Sequence, residues 1–346
     1  KIWQLSVGEQ QGVEILKALF VGVKLLILDE PTAVLTPQEA DKLFIILRKM
    51  KQEGLSILFI THKLREVMAV SDRVTVLRKG EKVAAVNTAD VSRSDLAKMM
   101  VGREVVFRVS KPDVEIGDRV FEVEELCAQN DRDQEALCSL SLNVRAGEIV
   151  GVAGVSGNGQ RELFEAIVGV RKASSGKILL SGKDITNQNP FTIAAQGMAH
   201  IPEDRLAEGL VPDFTVAENL ILGLHMSRFF NYGGGILDNQ EVNDFSEKCI
   251  KDFEIATPTA NQPARNLSGG NIQKVIIARE LSGNPKFLIA NQPTRGLDVG
   301  AIEYVHNRLL QQREGGTGIL IFSEDLDEIL TLSDRILVIF KGSIIG

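Results

Sequence analysis

The sequence predicts an α/β protein with central, mostly parallel sheets, built from two tandem copies of which the first is incomplete. Three observations predict this fold class. Short apolar runs alternate with amphipathic stretches, as in strand–helix–strand units. A second set of segments repeats the first at a constant offset of 262 positions, which indicates an internal duplication. In the second copy, a glycine-rich loop lies between a predicted strand and a predicted helix.

The bulk composition limits the classes of function. The chain has 346 residues, is 44% apolar and 25% charged, and carries a net charge of −7. That balance is ordinary for a globular protein of about two domains, and it argues against nucleic acid as the main partner. The three cysteines lack metal-site spacing and are typical of reduced thiols in a cytoplasm. No apolar run approaches the roughly 18 residues that a membrane-spanning helix needs.

The first copy is predicted to occupy residues 1–111 and to end in the polar stretch 108–118. Apolar runs predict strands of a parallel sheet, and amphipathic stretches predict the helices between them. The strands are expected at 25–28, 57–60, 74–77 and 83–86, and the helices near 37–53, 63–70 and 92–102. Residues 36–39, Thr-Pro-Gln-Glu, form a capping box that predicts the start of the first of these helices.

The second copy is predicted to occupy residues 112–346. Strands at 121–126, 139–144 and 148–154 lead into the glycine-rich loop, and a helix follows at 161–169. The stretch from about 190 to 260 has more helical character. The segments that repeat the first copy resume near residue 263.

The loop GVSGNGQRE at 154–162 has the context that a phosphate-binding loop needs. Its glycines let backbone N–H groups approach phosphate oxygens, and the following helix N-terminus adds partial positive charge. The complete pattern also requires a lysine and a hydroxyl, but Gln160 and Arg161 occupy those positions. Taken alone, the loop is equally compatible with an ordinary strand-to-helix turn.

The repeated motifs make a family resemblance specific. LSVGE at 5–9 and LSGGN at 267–271 each precede a mostly apolar helical stretch, and LLILDEPT at 25–32 is followed by ITHKL at 60–64. With PEDR and PTRGLDVGA, these stretches resemble the tandem ATPase subunits of bacterial ABC importers for simple sugars and nucleosides. The resemblance covers essentially the whole chain. It implies P-loop NTPase domains of the ABC type, each with a helical subdomain and an antiparallel β edge.

The resemblance implies roles for individual residues. Asp29 would hold Mg²⁺, Glu30 would activate the attacking water, and His62 would contact the γ-phosphate of ATP. A γ-phosphate would also be bound across a domain interface by the signature residues of either copy. These are Ser6 and Gly8 in the first copy and Ser268, Gly269, Gly270 and Asn271 in the second. The loop residues expected to contact nucleotide in the second copy are Gly157, Asn158, Gly159 and Gln160.

The second copy departs from the family pattern at its chemical positions. Asn291 and Gln292 replace the Asp-Glu pair, Glu324 stands at the position of His62, and Glu203 stands where many relatives carry glutamine. Its LSGGN motif is complete. We therefore expect one competent composite site, formed by the first copy's Asp-Glu pair and the second copy's signature, and one degenerate site. The first copy's own phosphate loop is expected before Lys1. The N-terminus is therefore expected to be truncated, and the 346-residue chain alone to be inactive.

The implied function is ATP-dependent energising of a membrane importer from the cytoplasmic face. The expected partners are integral permease subunits and, indirectly, a substrate-binding lipoprotein. Two copies of the chain would serve each transporter, or its two domains would pair. The Asn-Gln pair favours the nucleoside branch. A sugar importer, a soluble ABC protein outside transport and an inactive gene remnant remain alternatives. Apolar Leu210, Val211 and Phe214 are expected to contact the permease, whereas Val216 and Leu220 are expected to pack inside the helical subdomain.

Overall fold

The computed structural model describes most of the chain and divides it into two compact units. The described residues are 12–17, 23–32, 35, 37–78, 80–104, 111–155, 157–225, 230 and 237–346. The first unit comprises Lys1–Phe107 with Gly296–Glu303, and the second comprises Arg108–Arg295 with Tyr304–Gly346. Within the described ranges, no helix combines the length and the apolar character that crossing a membrane would require.

The first unit contains a short parallel sheet. Strand β1 (Leu25–Asp29) pairs in parallel with β2 (Ser56–Ile60), and helix α1 (Pro37–Gln52) connects them. Leu26 and Leu28 on one face of β1 pack with Leu43 and Leu47 of α1. The predicted capping residue of this helix, Thr36, lies outside the described residues.

The last two strands of the first unit contradict the sequence prediction. After helix α2 (Leu64–Val70), β3 (Arg73–Arg78) and β4 (Glu81–Asn87) form an antiparallel pair instead of joining a parallel sheet. The physical reason is the length of the connection, because two residues allow a hairpin whereas a parallel crossover needs a dozen or more. Helix α3 (Arg93–Val101) follows and buries Leu96 against this pair.

The second unit contains a six-stranded sheet and a four-stranded antiparallel sheet. Its strands in chain order are β5 (Arg119–Gln129), β6 (Glu135–Arg145), β7 (Ile149–Ala153), β8 (Ala173–Leu180), β9 (Lys183–Asp184), β10 (Met198–Ile201), β11 (Phe287–Asn291), β12 (Gly318–Phe322), β13 (Arg335–Phe340) and β14 (Ser343–Ile344). The larger sheet has the order β10-β11-β12-β7-β13-β14, with only β14 antiparallel to its neighbour. The smaller sheet has the order β6-β5-β8-β9.

Helices surround these sheets. In chain order they are α4 (Gln160–Ile167), α5 (Pro190–Ala195), α6 (Val216–Leu220), α7 (Asn239–Asp252), α8 (Gly269–Ser282), α9 (Val299–Glu314) and α10 (Leu326–Leu332). Single helical turns lie at Thr88–Asp90, Arg205–Gly209 and Ala264–Asn266.

The core of the second unit lies between its two sheets. Strands β7, β11 and β12 are buried along their whole length, as expected for parallel strands covered on both faces. Phe121 of β5 stacks on Phe287 of β11 with ring centroids 4.0 Å apart. Because β10, β11, β12 and β7 pair in parallel, their carboxyl ends lie along one edge of the sheet.

The helical subdomain has its own core between α6, α7 and α8. Val216 and Leu220 are fully buried there, which confirms that they pack inside the subdomain. The expectation that Leu210 contacts the permease does not agree with its burial. Leu210 is buried against Ala264, Ile272 and Ile276 because the loop folds back onto α8.

An ionic network around Asp334 stabilises the second unit. The carboxylate accepts two hydrogen bonds of 2.8 Å from Arg313 and one of 2.8 Å from the N–H of Ile149, and Lys111 lies 2.9 Å away. Burial alone would raise the pKa of Asp334, but the hydrogen bonds from Arg313, Ile149 and Lys111 outweigh it and lower the pKa. The ionised carboxylate is therefore the stabilising form.

We expect Asp334→Ala to lower the free energy of unfolding by about 1.5–3 kcal/mol, because buried Arg313 would lose its charged partner and keep only its hydrogen bond to the carbonyl oxygen of Pro112. Urea denaturation measures the change. Glu314→Ala, at an exposed neighbouring position, should shift the free energy by less than about 0.5 kcal/mol. Equal effects would contradict a specific role for the network.

The same carboxylate predicts a pH dependence. Its folded pKa lies below its unfolded value of about 3.9, so its contribution is complete at higher pH. The contribution is lost as pH falls through the folded pKa. The difference in stability between the native chain and Asp334→Ala should therefore shrink below about pH 4.

Candidate functional site

Four parallel strands of the second unit present polar residues at one edge. Glu203 follows β10, Asn291 ends β11, Glu324 follows β12, and the glycine-rich loop follows β7. Since neighbouring strands lie about 4.8 Å apart, these groups form a continuous row.

The glycine-rich loop has the backbone shape of an anion-binding concavity. Gly157 and Gly159 have φ angles of +86° and +106°, which favour glycine. A Cβ atom on Gly159 would lie 2.9 Å from the carbonyl oxygen of Ala136, whereas the space beside Gly157 is open. The N–H groups of Gly157, Asn158 and Gly159 donate to no described residue. They are therefore available to an anion.

The polar side chains of the loop form hydrogen bonds and ion pairs with neighbouring residues of the protein. Asn158 and Gln160 both donate to the carbonyl oxygen of Val155, at 2.8 and 3.3 Å. The Oε1 atom of Gln160 is buried with no partner among the described residues. Arg161 binds Glu165 at 2.7 Å, so neither position provides the ammonium or hydroxyl group of a complete phosphate loop.

The first unit brings the three residues predicted for chemistry to the ends of adjacent strands. Asp29 ends β1 and is exposed, and Glu30 follows with a φ of +42°. The N–H of Glu30 donates to the carbonyl oxygen of Ile60 at 2.8 Å, which holds this conformation. Nδ1 of His62 lies 2.8 Å from Oε1 of Glu30. A carboxylate and an imidazole are thus paired at an accessible edge.

The corresponding positions of the second unit have the same backbone and different chemistry. Gln292 has a φ of +50°, and its Oε1 accepts from the N–H of Glu324 at 3.2 Å. The amide keeps the shape of the carboxylate in Glu30 but carries no charge. Asn291, at the position of Asp29, is buried.

The two units repeat the same register at the offset seen in the sequence. Leu25 pairs with Ser56 in the first unit, and Phe287 pairs with Gly318 in the second. A buried threonine–glutamate hydrogen bond also recurs, from Thr32 to Glu66 in the first unit and from Thr294 to Glu328 at 2.8 Å in the second. The repeated strands therefore align side chain by side chain.

The residues at the end of β1 fit Mg²⁺. Asp29 offers an exposed carboxylate, and Mg²⁺ is commonly held by one or two carboxylates together with substrate phosphates and water. Across the described ranges, no group of three or more His, Cys, Asp or Glu side chains is arranged to hold a metal ion by itself. A site that the phosphate groups of a ligand complete is consistent with both observations.

The LSGGN motif at 267–271 lies at the start of helix α8. The helix has 14 residues, and the N–H groups of Gly269 and Gly270 donate to no described residue. Ser268 is the N-cap residue of this helix, but its hydroxyl makes no capping hydrogen bond. That oxygen accepts from the amide of Asn271 at 3.0 Å, while Asn271 also accepts from the N–H of Ala256 at 2.8 Å. The free N–H groups and the helix dipole remain available to an anion. Ser6 and Gly8 lie outside the described residues.

Sequence reasoning missed two arginines at the edge of the second unit. Arg295 forms an ion pair with Glu203, and Arg205 donates to the carbonyl oxygen of Arg295 at 2.9 Å. Nη1 of Arg205 is buried without a partner among the described residues, and burial lowers the pKa of this side chain. The internal repeat could have pointed to Arg295, because this arginine stands where the first repeat has the small residue Ala33.

Comparison with known proteins places these features among transport ATPases. A family model described as ABC transporter matches residues 1–33 and 137–295. The glucose import ATP-binding protein TsgD13 of Haloferax volcanii is 52% identical over 348 residues, covering 100% of this chain and 63% of the relative. The nucleoside import ATP-binding protein NupA of Lactococcus lactis is 49% identical, covering 100% of this chain and 68% of the relative. A crystal structure of a nucleotide-free ATP-binding cassette superposes with a TM-score of 0.55 at 27% identity, covering 66% of this chain and 90% of that structure.

Proposed function

Because the chain belongs to the ABC transporter family of ATP-binding proteins, we propose that it is the ATP-hydrolysing subunit of a membrane importer. The α/β ATP-binding fold expected from the sequence is confirmed by the match to the solved cassette. The chain spans 63 to 68% of the length of the relatives it matches, so the proposal concerns the full-length protein. The observation that carries it is the Glu30–His62 pair beside Asp29.

Each of these residues has one task in the proposed reaction. The carboxylate of Glu30 orients the attacking water and accepts its proton, a role that requires a base within hydrogen-bond reach. His62 holds Glu30 through the 2.8 Å contact and faces the γ-phosphate. Asp29 is the residue that would hold Mg²⁺, which supplies positive charge to the phosphates.

We further propose that the two nucleotide sites of the full-length protein are unequal. The competent site combines Asp29, Glu30 and His62 with the N-terminus of α8, whose open N–H groups bind the γ-phosphate. The other site uses the loop at 154–160, where Gln160 replaces lysine, and the strand end at Asn291 and Gln292, which carries no acidic group. Losing a general base alone lowers a rate by roughly 10²–10⁴-fold.

The transported substrate is proposed to be a nucleoside, with a simple sugar as the second candidate. The Asn291–Gln292 pair favours the nucleoside branch. The name of the 52%-identical relative supports glucose, and the names of relatives at 49% and 48% support nucleosides and guanosine. The permease and a substrate-binding lipoprotein would determine which substrate is transported, because this subunit would act from the cytoplasmic face without contacting the substrate.

The proposed docking surface for the permease is the apolar part of the loop before α6. Val211 and Phe214 are 37% and 42% exposed. The backbone beneath them is held in place, since the carbonyl oxygen of Phe214 accepts from the N–H of Ala264 at 2.9 Å. A fixed loop that presents an aromatic ring to solvent is suited to receive a helix of a partner.

We expect Phe214→Asp to abolish uptake, because the new charge would be buried at the interface with the permease. Basal ATP hydrolysis should be spared, because Phe214 has no proposed role in the hydrolytic reaction. Uptake, permease co-purification and ATPase activity are measured side by side. Phe191→Asp is the matched control, because Phe191 is 63% exposed on α5 outside this loop. Normal uptake and co-purification of the Phe214 variant would show that the permease docks elsewhere.

A further inference from the structure

We propose that Glu66 is a positioning residue for the hydrolytic reaction, because its carboxylate joins the turn after Glu30 to the loop that carries His62. The inference rests on the proposed function, which assigns the activation of water to Glu30 and His62. Glu66 itself contacts neither the nucleotide nor the attacking water in this account. It keeps the carboxylate of Glu30 and the imidazole of His62 within reach of each other.

The carboxylate of Glu66 is buried and binds one hydroxyl group with each of its oxygens. Glu66 lies on α2, and only 5% of its surface is exposed. Its Oε1 accepts from the hydroxyl of Thr32, and its Oε2 accepts from the hydroxyl of Thr61 at 2.9 Å. Because a carboxylate can accept at both oxygens, this one side chain holds together the loops that follow β1 and β2.

Each of these two threonines lies beside a residue of the proposed site. Thr32 follows Glu30 by two positions, and Glu30 has a left-handed backbone with a φ of +42°. A non-glycine residue stays in that region only where its surroundings hold it there. Thr61 directly precedes His62. Loss of the link through Glu66 would therefore release the backbone on which the 2.8 Å contact between Glu30 and His62 depends.

Lys63 completes the link and sets the direction of the Thr61 hydroxyl. Its Nζ donates to the carbonyl oxygen of Thr32 at 3.1 Å and lies 3.5 Å from Oε1 of Glu66. The N–H of Lys63 donates to the hydroxyl oxygen of Thr61 at 3.0 Å. Since that oxygen accepts from Lys63, the hydroxyl is free to donate its own hydrogen to Glu66.

The second copy retains only half of this link. Glu328 stands at the position of Glu66, and its Oε1 accepts from the hydroxyl of Thr294 at 2.8 Å. The same oxygen lies 2.8 Å from Nε2 of His306. Oε2 of Glu328 is buried and has no partner among the described residues. The bond to the turn after β11 is thus present, whereas the oxygen that corresponds to the Thr61 contact is unused.

The missing half is the contact from the loop after β12. Ser323 stands at the position of Thr61, and its hydroxyl oxygen accepts from the N–H of Asp325 at 3.0 Å. None of its described hydrogen bonds reaches Glu328. The second copy forms the same parallel strands without this bond, so the fold does not require it. The copy that has the bond is the one that has the proposed base, which points to a role in the site.

Thr61→Val in the full-length protein tests the proposal, because it removes one hydroxyl and keeps the shape of the side chain. The kcat for ATP hydrolysis should fall by about 10–10²-fold, the cost of displacing reacting groups by up to about 1 Å. KM for ATP and the dissociation constant of ATP should stay within about twofold. Glu66→Ala should lower kcat at least as much. Ser323→Ala, the matched change in the second copy, should leave kcat within about twofold of the native value.

A double substitution shows whether the contact acts through Glu30. Added to Glu30→Gln, Thr61→Val should lower turnover by less than about threefold further, because the position of a base has no effect once the base is absent. Independent effects would instead multiply. That result would make the link a purely structural one and would overturn the proposal. The melting temperature of each variant shows whether the protein remains folded.

The single variants separate this inference from the proposed function. If Glu30→Gln loses turnover while Thr61→Val, folded and binding ATP normally, keeps the native kcat, the positioning role fails and the proposed base stands. A native kcat for Glu66→Ala has the same meaning. If Glu30→Gln itself hydrolyses ATP at the native rate, the proposed base fails, and the positioning role of Glu66 is overturned with it.

Discussion

Glu30→Gln is expected to lower ATP turnover of the full-length protein by about 10²–10⁴-fold, the usual contribution of a general base. Glutamine preserves the size of the side chain and can still contact His62, whose Nδ1 lies 2.8 Å from the carboxylate. It cannot accept the proton of the attacking water. Release of inorganic phosphate at saturating ATP and Mg²⁺ measures the loss.

Nucleotide binding provides the control for this substitution. Because Glu30 acts on water and not on the nucleotide, the variant should bind ATP with an affinity close to that of the native protein. A variant that binds ATP normally and hydrolyses it at more than a tenth of the native rate would remove Glu30 from the role of base.

Gly269→Asp should lower turnover by about 10–10³-fold, because two unit charges 4 Å apart repel by about 4 kcal/mol at an effective dielectric constant of 20, a repulsion that the nearby guanidinium of Arg205 reduces. The new carboxylate would stand at the first residue of α8, where we propose that the γ-phosphate binds. The fold has room for it, since a Cβ atom at this position would lie 3.7 Å from the nearest atom, Nη1 of Arg205. Phosphate release again measures the effect.

Two matched variants serve as controls. One distinguishes the effect of charge from that of side-chain size, and the other distinguishes the LSGGN motif from the LSVGE motif. Gly269→Asn adds a side chain of the same size without the charge and should retain most activity. Val7→Asp places the same charge at the equivalent position of the first copy and should change turnover little, because that signature would serve the degenerate site. Equal losses for the aspartate and asparagine variants of Gly269 would indicate steric disruption instead of repulsion.

Local patterns predicted the strands and helices well, and they failed where distant contacts decide the outcome. The runs at 25–28 and 57–60 became β1 and β2, paired in parallel as expected. The run at 83–86 is also a strand, but the two-residue connection makes its pairing antiparallel. Leu210 is buried because residues more than 50 positions later in the sequence cover it. Hydrophobic periodicity contains no information about that contact.

Sequence motifs were sufficient to select those candidate site residues that lie inside a recognisable motif. Glu30 and His62 are in contact in the structure, and their roles in hydrolysis stay predictions. The motif does not show that the hydroxyl of Ser268 accepts a hydrogen bond from the side chain of Asn271, three residues later. The ion pair between Arg295 and Glu203 joins residues 92 positions apart, so sequence spacing could not reveal it. The repeat contained a hint, since a small residue in the first copy corresponds to arginine in the second.

The ratio of ATP turnover in Gln292→Ala to that in Glu30→Gln tests the central claim, that one of the two sites performs the hydrolysis. Both substitutions fall at the same position of the repeat, on a strand end with the same left-handed backbone. In the full-length protein, Gln292→Ala should keep turnover within about threefold of the native value, whereas Glu30→Gln should lose at least about a hundredfold. Comparable losses from the two substitutions would contradict the asymmetric account.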